Sequence, residues 1–184
     1  MICVRRSWLV ILASVVLALI YTGAAEAHPN TRGPHNENGN TTLDIYKVGN
    51  FNGALGEAIA NYGEGNLGNA PKPRTVSTQA QADVLVRYLN PGEVGAGFSH
   101  RNGAIDILRI SPTSPNPVWT LTHELGHAEA MQDLTMAECD LIAPDPVTGY
   151  KSIMCHARWE GGDLTAHDWK DLQMIPNHRL VGYY

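Results

Sequence analysis

Five consecutive residues of this chain, His123-Glu124-Leu125-Gly126-His127, have the types and spacing to bind a metal ion and activate water. On an α-helix, residues i and i+4 are separated by about 400° of rotation, so His123 and His127 project from one face. Two imidazoles one turn apart can bind a single zinc through neutral ring nitrogens. Glu124 lies about 100° round the helix from His123, which lets it reach a water activated at the metal without becoming a ligand. Zinc lowers the pKa of such a water to about 7. A neighbouring carboxylate can then take the proton as the water attacks a carbonyl, and pass it to a leaving amine. The expected chemistry is hydrolysis, with Glu124 as general base. A surface helix carrying two histidines and a glutamate by coincidence is the plainer reading, and the setting of the motif argues against it.

That setting begins with the helix itself. Pro112, Pro115 and Pro117 precede the motif, and Asn116 before Pro117 suits a helix start because proline is tolerated in the first turn. Upstream, residues 42–48 (TLDIYKV) predict a strand. Phe51, Ala54, Leu55, Ala58, Ile59 and Tyr62 then recur at helical spacing, forming one apolar face that ends at Gly63. Residues 65–74, rich in glycine and asparagine with two prolines, predict a loop. Residues 83–89 (DVLVRYL) predict a strand with Val84, Val86 and Tyr88 on one face. Residues 103–110 (GAIDILRI) predict another, with Ile105 and Ile107 alternating against Asp106 and Leu108. A last helix has a full start signal: Thr165 at the N-cap, Asp168 three residues on, and Leu164 placed to pack toward Trp169. Pro176 would stop it. This order of elements implies a mixed sheet with helices packed on it.

The N-terminal stretch is read apart from that domain. Arg5 and Arg6 precede an apolar run from Trp8 to Ile20, followed by small residues ending Ala25-Glu26-Ala27. This is the pattern of a secretory signal peptide, and the run is short for a membrane span. Residues 1–27 are therefore expected to be a signal, 28–40 (HPNTRGPHNENGN) a disordered polar leader, and 41–184 one domain. Loss of the signal removes two arginines and one glutamate, moving the net charge from −5 to −6. A mildly acidic chain with no basic run has no electrostatic footprint for nucleic acid, nor for a membrane once the signal is cleaved. Cys3 leaves with the signal, so Cys139 and Cys155 remain, and two cysteines in an exported chain suggest one disulfide.

A catalytic zinc usually has three protein ligands, so a third must lie elsewhere. Here the chain resembles a known family. His123-Glu-Leu-Gly-His-Ala-Glu-Ala-Met-Gln-Asp133 resembles the extended zinc motif of the metzincin proteases, HExxHxxGxxH, with aspartate at the third-ligand position. That substitution is similar to the snapalysin-like small secreted neutral proteases. Ser152-Ile153-Met154 resembles the metzincin Met-turn, the methionine beneath the zinc. The similarity runs from strand 103–110 through the final helix, roughly the C-terminal half. It implies a small α+β catalytic domain: a mixed twisted sheet packed with helices, a zinc helix, a Met-turn and a C-terminal helix. It also implies a secreted, monomeric zinc endopeptidase with Asp133 as third ligand, taking an extended peptide along edge strand 103–110. The Cys139–Cys155 bridge fits the same resemblance, since it would tie the loop after the zinc helix to the Met-turn. Residues 141–149 would form a rim loop.

Two departures from the family pattern matter. The metzincin glycine is Ala130 here. Asp133 stands six residues past His127, about 600° round, so a continuing helix would aim it 120° from the metal. The chain must therefore turn near Ala130, at a cost on the order of 1 kcal/mol for a left-handed alanine. Second, His156 follows Met154 by two residues, where some metzincins carry a tyrosine near the metal. It is a candidate extra ligand, a donor to the tetrahedral intermediate, or a substitute for Asp133; its plainer reading is a hydrogen-bonded surface histidine. Three rival functions stand beside the protease. One is a closed structural zinc site made by His123, His127, Cys139 and Cys155. Another is a copper site built on a mature N-terminal His28 together with His35. The third is a zinc-bearing binding module without turnover. No EF-hand-like loop suggests a calcium site.

Overall fold

The computed structural model describes residues 41–63, 65, 67–68, 70–99, 105–155 and 162–174. The expected signal (1–27), the polar leader (28–40), the start of strand 103–110, His156 and Pro176 lie outside them. Five strands form one sheet: β1 (Thr42–Val48), β2 (Lys72–Thr75), β3 (Val84–Tyr88), β4 (Gly97–Ser99) and β5 (Asp106–Ile110). Their spatial order is β2-β1-β3-β5-β4, with the first four parallel and β4 antiparallel to β5. Four helices are described: α1 (Ala54–Gly63), α2 (Pro117–Ala128), α3 (Met136–Leu141) and α4 (Ala166–Met174). The architecture is thus a mixed sheet packed with helices, compatible with the small α+β fold expected. No helix among the described residues is long and apolar enough to cross a membrane.

Alternation along the parallel strands puts Leu43, Ile45, Val84, Val86, Leu108 and Ile110 on one face, all buried. Helices α1 and α2 pack against one another and, with that face, enclose the core. Leu55, Ala58 and Tyr62 supply the α1 side and Leu121 and Leu125 the α2 side. The Tyr62 hydroxyl donates to the Thr122 carbonyl at 2.7 Å, fixing α1 against the middle of α2.

Four expectations need correction. In β5 the covered row is Asp106, Leu108 and Ile110, while Ile107 is only half-buried. Alternation had grouped the residues properly, but both rows hold apolar side chains and the sequence pattern could not say which meets the helices. Second, β5 is no edge strand: β3 flanks it on one side and β4 on the other. Among the described residues the edge nearest α2 is β4, three residues long. Third, residues 72–74 belong to a strand rather than a loop, because β1 offers a parallel partner and Pro73 is tolerated at a sheet edge. Fourth, Phe51 precedes α1, accepting from the Ala54 amide at 2.9 Å, yet still buries its ring in the core.

The chain reverses after α2 near Ala130, where Asp133 has to turn if it is to face the histidines. The helix ends at Ala128, Glu129 caps it, and Ala130 takes φ = 72°. The Met131 amide donates back to the Gly126 carbonyl at 2.8 Å and the Ala130 amide to His127 at 3.0 Å, the pair of bonds that closes a Schellman turn. Because alanine occupies a glycine conformation, Ala130→Gly should raise stability by about 1 kcal/mol. Urea unfolding of the two proteins checks it; an unchanged or lower midpoint would count against strain at this position.

Candidate metal centre

Helix α2 is started by Asn116, whose side chain accepts from the Trp119 amide at 3.0 Å, with Pro117 at the first position. His123, one turn before the C-terminal turn, is buried, and His127 is half-buried one turn later. The turn at Ala130 brings Asp133 back beside them. Asp133 Oδ1 lies 3.2 Å from His123 Nε2 and 3.4 Å from His127 Nε2. Two ligands held about 2.0–2.1 Å from one tetrahedral ion are separated by about 3.3 Å, so these spacings suit a shared metal. The three side chains form a group able to hold an ion, with all ligand atoms within 4.8 Å of one another.

The histidines are also oriented for it. His123 Nδ1 is 2.8 Å from the Ile153 carbonyl, and His127 Nδ1 is 3.1 Å from that of Met131. A carbonyl only accepts, so each Nδ1 carries a proton, and Nε2, turned toward Asp133, is left as the nitrogen that would meet a metal. Asp133 is more than half exposed, whereas Glu124 and His123 are buried, so the group opens to solvent on the Asp133 side. A donor set of two imidazoles and one carboxylate with an open side leaves room for a further ligand such as water.

Residues 152–154 pack against α2 beside this group. Met154 is wholly buried, and a Cβ placed on Gly126 would lie 2.6 Å from its sulfur, so only glycine lets the thioether come this close to the metal helix. The Leu134 amide donates to the Met154 carbonyl at 3.0 Å, joining the segment after Asp133 to these residues. Cys139 and Cys155 form a disulfide with Cα atoms 5.8 Å apart, clamping α3 to the same segment. That bridge removes the closed His2Cys2 reading, since bonded sulfurs cannot serve as thiolate ligands. Asp168, buried at the start of α4, accepts from Ser152 Oγ (2.6 Å), the Ile153 amide (3.1 Å) and the Thr165 amide (2.8 Å). One carboxylate thus completes the α4 capping box and holds the residue whose carbonyl orients His123.

Sequence reasoning missed several of these partners. Trp119 stacks on the His123 ring, with centroids 4.9 Å apart and planes 19° from parallel. Its position four residues before His123 was the available signal. The contact of Asp168 with the Met-turn spans a long sequence gap and had none. The Glu129 carboxyl, fully buried behind the turn, has no hydrogen-bond partner among the described residues, and burial pushes it well above the usual range.

In the metal-free protein the charges follow this geometry. Hydrogen bonds from His123 and His127 hold the Asp133 carboxyl far below its ordinary range. Burial pulls the His127 imidazolium down, but the hydrogen bond and charge of Asp133 outweigh it, and the net direction is up. A histidine raised on folding contributes stability below about pH 6.5 and loses it as pH rises; Asp133, held low, contributes above about pH 4 and loses it in stronger acid. The pair therefore helps the metal-free fold most between about pH 4 and 6.5, whereas a metal needs His127 neutral. From about pH 6 to 8, urea stability of the chelated protein should lose this contribution while metal affinity rises. Metal affinity that is flat over this range would contradict the assignment of His127 as a ligand.

Compared with known protein families and with curated proteins, the chain has no match.

Proposed function

We propose that the chain is a secreted zinc-dependent endopeptidase of metzincin type, with His123, His127 and Asp133 holding the metal and Glu124 acting as general base. The observation that carries this reading is the approach of both imidazole Nε2 atoms to one oxygen of Asp133, at 3.2 and 3.4 Å, with Glu124 next to His123 on the same helix. The left-handed turn at Ala130 and the burial of Met154 under Gly126 support the family resemblance.

Zinc, when bound, would acidify water and polarise the scissile carbonyl. The rest falls to the protein. Glu124, buried and offset from the ligands, takes the proton of the attacking water and delivers it to the departing amine. His123 and His127 are kept as Nδ1–H tautomers by the Ile153 and Met131 carbonyls, so neither needs to reorient during turnover. An extended substrate pairs with β4, the edge strand packed beside α2, and not with β5. Leu141 at the end of α3 and Val147 beyond it, both largely exposed, offer apolar contacts at the rim. The test is casein cleavage by the chain lacking residues 1–27, abolished by a chelator and restored by zinc; cleavage indifferent to the chelator would overturn the proposal.

A further inference from the structure

The spacing that pairs the two histidines places a third ring on the same helical stripe. Trp119, His123 and His127 stand at successive four-residue intervals along α2, each about 40° further round than the last. The rings form a ladder: Trp119 lies nearly parallel to His123, while His123 meets His127 edge-on, at 86° and 4.9 Å between centroids. Both Trp119 and His123 are buried, at 3% and 2% exposure, so the shared face is shielded from bulk solvent.

Three of its contacts bear on the orientation of the His123 imidazole. The Ile153 carbonyl holds its Nδ1 edge, Asp133 faces its Nε2 edge, and the indole covers its plane. An imidazole that binds a divalent cation gains positive character, and the negative face of an indole favours that form more than any other aromatic ring would. The stack also removes the ring's freedom to rotate before metal arrives, so less ordering remains to oppose binding. A tryptophan used only as core filler would not need to lie flat on a metal ligand.

We propose that Trp119 is a positioning residue of the metal centre, its indole face holding His123 in plane and favouring the metal-bound ring. The proposal rests on the reading that His123 carries a metal. Core packing and positioning differ in what they move. Packing sets the stability of the metal-free fold; positioning sets metal affinity over and above it.

Cobalt(II) alone serves as the probe, titrated into the metal-free mature chain and followed by its visible absorption and by indole emission. Trp119→Leu keeps an apolar side chain without a π-face and should bind cobalt about tenfold more weakly; Trp119→Phe, with a weaker face, should fall between it and wild type. Trp119→Phe should also lose much of the cobalt-dependent quenching of indole emission, because a metal on His123 Nε2 sits within about 8 Å of the Trp119 ring. Urea unfolding of the metal-free variants keeps the packing contribution separate. If Trp119→Leu does not fold, cobalt affinity in Trp119→Phe decides. Wild-type cobalt affinity in the folded variants overturns the positioning role and leaves the metal centre standing. A wild-type chain that binds no cobalt, or a His123→Ala chain that binds it as tightly as wild type, overturns the metal centre and this proposal with it.

Discussion

Glu124→Gln should keep its zinc and lose about a thousandfold in kcat for peptide hydrolysis. Glutamine matches glutamate in shape, so the packing of this buried side chain is preserved, and what disappears is the ability to accept a proton. The residue lies next to His123 in α2 but outside the group formed by His123, His127 and Asp133, which is why metal content should not follow activity. Zinc analysis alongside turnover of casein or a peptide separates the cases. Loss of zinc together with activity would make Glu124 a ligand, and unchanged turnover would remove it from catalysis.

The second large effect lies away from the metal. Asp168→Ala strands the Ser152 hydroxyl and the Ile153 and Thr165 amides, all hydrogen-bonded to that carboxylate inside the protein. Burial pushes the Asp168 carboxyl up more than these bonds pull it down, so its charge is costly to keep inside. The stranded donors dominate the outcome, since each buried unsatisfied group costs about 1–3 kcal/mol. A total loss of about 3–5 kcal/mol is expected in urea unfolding. Metal affinity should also fall by about tenfold, because the Ile153 carbonyl that orients His123 loses its support. A stability change under about 1 kcal/mol would mean that the Met-turn is held chiefly by the Cys139–Cys155 bridge instead.

What the sequence made legible was local or angular. The i,i+4 histidines, the Asn116–Pro117 start and the Thr165–Asp168 capping box depend on neighbours within one turn, and all stand as read. The reversal at Ala130 followed from the resemblance and rotation together: with Asp133 set as third ligand, a continuing helix could not turn it toward the histidines. Strand β2 was illegible because four residues including Pro73 have no pattern of their own until β1 pairs with them. The buried row of β5 and its interior place both depend on what lies across the sheet, which alternation does not encode. Helix α3, six residues long, is too short to show an apolar stripe, although Thr135 and Glu138 form a capping box at its start. In the His123-His127-Asp133 group the candidate ligands were legible and the contacts around them were not. Trp119 reads as one more core aromatic until its ring is seen flat on His123.

The most direct measurement is cleavage of casein by the mature chain as zinc is returned to the stripped protein in counted amounts. Cleavage should rise in proportion to bound zinc and level off at about one zinc per chain. Full zinc loading with no cleavage of casein or of a broad peptide panel would contradict the protease reading and leave a zinc-bearing binding module in its place.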